Sequence, residues 1–212
     1  MSIRWALISS QAIGVSRAYN LLKSEDVLHA LKCLKKLGVK IKNTKEYCEI
    51  IGKGINGFDY KKNLTLNAGN SGTLGRLILS LLVKSPFKIK IVGDKSLSKR
   101  DFSRVLDPLK KIGVNFYPQN RSTLPISIKG SEFIRPINYE EKRGSAQCKS
   151  CIMLASLNAP GEMIIKAKLH KKKIGEIPTI WIDREFGESK FNMKKYLPSY
   201  LYWVYRLIFR KK

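Results

Sequence analysis

The residues best suited to chemistry lie in one stretch, Asn67-Ala68-Gly69-Asn70-Ser71-Gly72-Thr73-Leu74-Gly75-Arg76. Gly69 and Gly72 let the backbone approach a ligand with no Cβ in the way. Asn70 or Ser71 can cap a following helix by accepting one of its unpaired first-turn N–H groups. A glycine turn, a helix start and a nearby Arg76 together suit an anion, to which a helix end alone contributes roughly 0.3–2 kcal/mol. An ordinary capped turn is the competing reading. Neither the P-loop nor the dinucleotide-binding glycine spacing is present. A second helix start of the same kind follows at Arg143-Gly144-Ser145-Ala146-Gln147, with Ser145 as N-cap. Between them runs the basic loop Gly93-Asp94-Lys95-Ser96-Leu97-Ser98-Lys99-Arg100, whose Lys95, Lys99 and Arg100 could serve an anion or simply face solvent.

The elements that must position these groups alternate between strand and helix. Leu64-Thr65-Leu66 reads as a short strand, and Leu77 to Val83 as a buried helix. Ala6 to Ile13 is small and apolar, ending at Gly14, and Tyr19 to Leu22 is a strand candidate. Ser24-Glu25-Asp26 opens a helix with Val27, Leu28, Leu31, Leu34 and Leu37 as its apolar stripe, ended by Gly38 and followed by a strand at Val39 to Ile41. Leu34-Lys35-Lys36-Leu37-Gly38-Val39 returns as Leu109-Lys110-Lys111-Ile112-Gly113-Val114, an offset of 75 residues (113 − 38). At that offset Asp26 falls on Asp101, again at a helix start, so the chain carries an internal helix–strand repeat. Further strands are expected at Phe87 to Val92, Pro125 to Ile128 and Phe133 to Ile137. A third helix carries Cys148, Cys151, Ile152, Leu154, Ala155 and Leu157 and stops before the turn Asn158-Ala159-Pro160-Gly161.

The chain has 212 residues and a formal charge of +25. Such a charge calls for an anionic partner: nucleic acid, a membrane surface or small phosphorylated substrates. No RNA-binding aromatic signature, zinc-finger spacing or basic heptad region supports nucleic acid. The cysteines are Cys33, Cys48, Cys148 and Cys151. Cys148 and Cys151 make a C-x-x-C pair, but no second pair or histidine cluster completes a metal site, so buried free thiols are expected. There is no secretory-leader pattern and no run of roughly 18 apolar residues, so a cytoplasmic protein is expected.

With these residues in view, the chain resembles the 5-enolpyruvylshikimate-3-phosphate synthase family. The matching blocks are Asn20 to Val27, Asn67 to Arg76, Gly93 to Gly113 and Ser145 to Gly161, within about Ala6 to Lys166. The resemblance implies an α/β (α+β) fold of repeated βαβαββ units, incomplete here. It implies transfer of the enolpyruvyl group of phosphoenolpyruvate to the 5-hydroxyl of shikimate 3-phosphate, with no metal or organic cofactor, by a monomer. It assigns shikimate 3-phosphate to Ser145, Ala146 and Gln147, and phosphoenolpyruvate to Asn70, Gly72, Thr73, Arg100 and Gln147. Asp26 and Arg76 are secondary candidates, with a structural role equally open.

Three departures stand out. The family's opening Lys-Ser-x-Ser-x-Arg motif is not intact, with Arg4 read as displaced and Trp5 in the arginine's place. The family's second domain, with its catalytic Asp, Glu and Lys, has no match, so no catalytic residue is assigned. Residues 167–212 form a basic tail, expected to be helical, in which Lys172 to Lys190 resembles the end of family 2 glycosyltransferases acting near polyprenol phosphates. The division expected is therefore 1–166 and 167–212. Tyr196 to Phe209 mixes Tyr, Trp and Leu with Lys and Arg, which suits weak association with a membrane interface. Two rival functions follow from these features: a non-enzymatic basic protein on anionic membrane or nucleic acid, and a remnant of a polyprenol-linked glycosyltransferase.

Overall fold

The structure, a computed structural model, describes residues 2–141 and 144–167. The proposed tail at 167–212, its glycosyltransferase-like segment and the stretch at 196–209 lie outside the described residues, apart from the backbone of Ala167.

The internal repeat is a repeat of structure. Strand β1 (Ile13–Tyr19), helix α2 (Glu25–Lys36) and strands β2 (Lys40–Asn43) and β3 (Tyr47–Lys53) form an antiparallel sheet in the order β1-β3-β2. Strand β5 (Ile89–Val92), helix α5 (Ser103–Lys111) and strands β6 (Asn115–Tyr117) and β7 (Ile126–Lys129) repeat it in the order β5-β7-β6. The second copy gains β4 (Thr65–Asn67), paired parallel to β5, with helix α3 (Gly72–Leu77) between them. Reading from β4 to β7 gives one complete βαβαββ unit, with a single helical turn, α4 (Lys95–Ser98), ahead of α5. A parallel pair recurs in β8 (Asn138–Glu141) and β9 (Ile164–Ala167), joined by helix α6 (Ala146–Ser156). Helix α1 (Ser2–Gln11) precedes β1 and packs on β3 and α2.

Both copies end their helix in the same way. Gly38 (φ 83°) and Gly113 (φ 106°) hold backbone that side chains disfavour. At each, the glycine N–H and the following valine N–H return to the last helical turn, as in Gly38 to Lys35 O (3.0 Å) and Gly113 to Lys110 O (3.0 Å). The carbonyl of the residue before each glycine is used alike as well: Leu37 O accepts from Asp59 N–H and Ile112 O from Arg135 N–H.

The apolar faces meet in one core. Val27, Leu31, Leu34 and Leu37 of the first copy and Val105, Leu106, Leu109 and Ile112 of the second are buried, whereas Leu28 is part of the surface. The run after the glycine-rich turn is buried throughout, but α3 ends at Leu77 and Ile78–Leu82 tightens into a 3₁₀ helix. Within that run the Ser80 hydroxyl donates to Leu77 O (2.6 Å), engaging a helical carbonyl.

The strands differ from the sequence reading in several places. Tyr19 to Leu22 is not a strand: β1 ends at Tyr19 because Asn20 turns the chain at φ 55°. Phe133 to Ile137 is also a loop. There Ser131 Oγ ties to the backbone of Phe133, Arg135 N–H is committed to Ile112 O, and Pro136 has no N–H to give. Its apolar signal comes from Ile134, buried in the core from that loop. Strands β3, β8 and β9, and β1 ahead of Tyr19, answer to no sequence expectation. All four cysteines are free and buried, as expected. No helix among the described residues is long and apolar enough to cross a membrane.

Candidate functional site

The start of α3 is built by its own side chains. Ser71 Oγ accepts the Leu74 N–H (3.2 Å), so Ser71, not Asn70, is the cap. Asn67 Oδ1 accepts the Gly69 N–H (2.8 Å) and closes the turn before it. This fixes the first-turn N–H groups of Gly72 and Thr73, which have no acceptor within the helix. At α6 the Ser145 hydroxyl accepts the Cys148 N–H (3.2 Å), and the Ser145 N–H is taken by the buried Glu141 carboxylate (2.8 Å). What α6 leaves for an anion is the Ser145 hydroxyl hydrogen and the backbone N–H groups of Ala146 and Gln147.

Gln147 joins the two helix starts. Its Oε1 accepts from Arg76 Nη1 (3.0 Å), and its Nε2 donates to Thr73 Oγ1 (3.2 Å). Arg76 is itself only 8% exposed. It donates to Gly72 O (3.2 Å) and Asp101 O (3.0 Å), and its guanidinium lies 4.9 Å from the centre of the Phe102 ring. Burial lowers its pKa, and Arg104 and Arg100 lower it further, against a smaller opposing pull from Asp101. Its Nε and that of Arg104 are buried with no hydrogen-bond partner among the described residues. Arg100, exposed, donates to Asn70 Oδ1 (3.2 Å).

Gly72 stands between these cations. A Cβ there would lie 2.9 Å from Arg76 Nη1 and 3.0 Å from Arg100 Nη1. The residues singled out from sequence around α3 and α6 are therefore one cluster: Asn70, Gly72, Thr73, Arg76, Arg100 and Gln147. Lys95 and Lys99 are exposed in the α4 turn, and Asp94 caps that turn through Leu97 N–H (2.7 Å).

Asp26 lies on the far side of Thr73, across a small cavity of about 140 Å³. That cavity is also lined by Ser2, Arg4 and Ser24. Arg4 is one of these lining residues. It faces the cavity and donates from Nε to Ser150 Oγ on α6 (3.3 Å), while Trp5 packs against the core. Arg104 is a residue that sequence reasoning passed over, since a lone arginine inside an amphipathic helix resembles any solvated charge.

The starts of α1 and α2 thus meet that of α3 around the cavity at Thr73, and Gln147 ties the start of α6 to the other side of α3. The family model for EPSP synthase (3-phosphoshikimate 1-carboxyvinyltransferase) matches residues 1–175. The chain belongs to the EPSP synthase family. The 3-phosphoshikimate 1-carboxyvinyltransferase of Streptococcus mutans is 40% identical over 169 residues, covering 79% of this chain and 39% of that protein. The one from Vesicomyosocius okutanii is 43% identical, covering 80% of this chain and 38% of that protein. The Streptococcus suis protein is 38% identical and covers 92% of this chain and 45% of its own length, so that match runs beyond residue 167. The EPSP synthase structure from Acinetobacter baumannii superposes with a TM-score of 0.74 at 33% identity, over 81% of this chain and 39% of that one. The chain therefore spans about two fifths of the length of the relatives it matches.

Proposed function

We propose that this chain forms the half of an EPSP synthase that receives shikimate 3-phosphate and phosphoenolpyruvate, in the transfer of an enolpyruvyl group to the 5-hydroxyl of shikimate 3-phosphate. The observation that carries this reading is Gln147, held between Arg76 and Thr73 so that the starts of α3 and α6 lie side by side. The phosphate of shikimate 3-phosphate is assigned to the Ser145 hydroxyl and the N–H groups of Ala146 and Gln147. Ala146 has no hydroxyl, so its contribution is backbone only. Arg4 and Asp26 line the cavity beside Thr73 and are assigned to the ring side of this ligand.

Phosphoenolpyruvate is assigned to Arg100, with Asn70, Gly72 and Thr73 shaping its wall. A guanidinium can meet a carboxylate or phosphate with two parallel charge-assisted hydrogen bonds, which a lysine cannot reproduce. Arg76 and Arg104 act from behind, adding positive potential in a partly desolvated setting where each charge counts for more than in water. The acid/base groups assigned by resemblance to the family's other half are needed for proton transfer at the reacting carbon. The 212 residues alone are therefore a binding half, read here as a cytoplasmic monomer.

Calorimetric titration with shikimate 3-phosphate, beside unphosphorylated shikimate, tests the reading. Saturable binding that requires the phosphate, with no phosphate release on adding phosphoenolpyruvate, is the expected outcome. No heat from a chain that is folded by circular dichroism would overturn it, and turnover above background would overturn the restriction to binding. Affinity for DNA or anionic vesicles that collapses with salt, without preference for the shikimate ligand, would point to a general basic binder instead.

A further inference from the structure

The face of the β1-β3-β2 sheet turned away from the core carries groups that the cluster at α3 and α6 does not use. Cys48 and Ile50 of β3 point inward and are fully buried. Their neighbours point outward, and the register lays them in rows across the strands. Val15, Ile51 and Lys40 make one row. Arg17, Glu49 and Lys42 make the next, and Tyr19 lies beside Tyr47 in the last. Successive rows stand about 6.8 Å apart, two residues along a strand.

The last row is aromatic and ringed by cations. Tyr19 and Tyr47 are 28 residues apart in the chain (47 − 19), so no local aromatic motif announces them. In the sheet their ring centres are 6.2 Å apart, and Tyr19 is 67% exposed. The Arg17 guanidinium lies 5.5 Å and the Lys42 ammonium 5.7 Å from the centre of the Tyr47 ring. Lys23 adds charge from the chain beyond β1, where its Nζ donates to Lys45 O (3.2 Å). Glu49 is the one acid in these rows, and Arg17 neutralises it (2.6 Å). Lys40 and Lys42 form no ion pair among the described residues.

These groups select among occupants. A second copy of the chain would bring a like charge of +25 to the face. A bilayer would have to take in the Arg17–Glu49 pair, which lies in one plane with Val15 and Ile51, and burying charge is costly. A single nucleic-acid strand needs what is present: exposed rings on which bases stack, cations at successive steps for phosphates, and aliphatic surface beside them. A duplex keeps its bases stacked on one another and cannot use the rings.

We propose that the outer face of β1-β3-β2 binds single-stranded nucleic acid. One base stacks on Tyr19, the next lies against Tyr47, and the sugar-phosphate strand runs along Lys42 and Lys40 with Arg17 beside it. The site shares no residue with the cluster at α3 and α6, so this is a function beyond the ligand reading.

The test follows the fluorescence anisotropy of labelled oligo-uridylate and oligo-thymidylate on the full chain. Strands of about 12 nucleotides suffice, within the roughly 4–16 that one OB-fold site covers. Both should bind at least tenfold more tightly than a DNA duplex of the same length. Tyr19→Ala should weaken binding at least fivefold, and Tyr19→Phe, which keeps the ring, should restore it. Lys40→Gln with Lys42→Gln should reduce the slope of log K against log salt by about 1.4, at about 0.7 per phosphate contact. Lys32→Gln with Lys35→Gln is the control. These two lysines are exposed on α2, where Lys35 acts on the Cys48 thiol from the inner side of the sheet, and their loss should cost less than twofold.

No binding by the folded chain, equal affinity for duplex and single strand, or an equal loss from the two lysine pairs overturns the proposal. So does binding to phosphatidylserine vesicles that Tyr19→Ala abolishes while oligonucleotide binding persists, which would make the face a membrane contact. Shikimate 3-phosphate titration is a separate readout, and every variant should match the wild type in it. A wild-type chain that binds this ligand but no strand refutes the face alone. One that binds strands but not the ligand refutes the ligand assignment alone.

Discussion

Gly72 is the residue on which the pocket's shape depends most directly. Its missing side chain lets two guanidinium groups approach the first turn of α3, and the atoms that an added Cβ would meet are flexible side-chain ends. Gly72→Ala should therefore cost little in stability while pushing Arg76 and Arg100 outward. Binding of phosphoenolpyruvate, measured in the presence of shikimate 3-phosphate, should weaken about tenfold, which is about 1.4 kcal/mol, with shikimate 3-phosphate affinity nearly unchanged. An equal loss for both ligands would mean that the two sites are not separate. Most of this pocket was legible in residue types and spacing: the glycine-rich turn, Ser145-Ala146-Gln147 and Arg100 all converge. The link from Gln147 to Arg76 was not, because a sequence separation of 71 residues carries no sign of which side chains will meet. Glu141 taking the Ser145 N–H is a local contact, four residues apart, missed because the end of β8 carries no strand signal.

At the level of elements, the twin endings at Gly38 and Gly113 are where sequence spoke most clearly. The phrase Leu-Lys-Lys-x-Gly-Val encodes an amphipathic last turn, a left-handed stop and a strand, and each part depends only on neighbours. Gly113→Ala should cost roughly 1–3 kcal/mol for holding a side chain in that backbone region. Thermal unfolding should register it as a loss of about 2–4 °C per kcal/mol for a chain of this size. Gly38→Ala should cost at least as much, since its Cβ would also displace the Asp59 carboxylate from its pairing with Lys53. Wild-type stability in either variant would show that the turn is not what ends the helix. Strands β1, β3 and β8 were less legible. β1 contains Gly14, Ser16, Arg17 and Ala18, and β8 is Asn-Tyr-Glu-Glu, so neither has the β-branched alternation that marks a strand. What makes them strands is the partner already in place beside them.

For the molecule as a whole, alkaline pH should be the weak side. Tyr60 is half-buried, which pushes its pKa up to about 12, and its hydroxyl donates to Leu81 O (2.7 Å). The same cause pushes the Cys33 thiol up to about 11. A group whose folded pKa is raised contributes stability that is complete below its unfolded value. For Tyr60 that contribution is lost between about pH 10 and about 12, because the unfolded chain releases the proton first. The loss is on the order of 2 kcal/mol. Tyr60→Phe should flatten this slope in urea titrations taken between pH 9 and 12, at a cost of about 1 kcal/mol near neutrality for the missing hydrogen bond. A parallel pH slope in the variant would place the effect elsewhere.

The amide of Gln147 has one more consequence, and it is kinetic. It reaches from α6 to Arg76 and Thr73 on α3, so α6 cannot swing off α3 without breaking both hydrogen bonds. Opening of the last repeat and emptying of the pocket become a single event. A molecule seated against Gln147 would act as a rivet between the repeats, and its departure rate would set how often that end of the chain breathes.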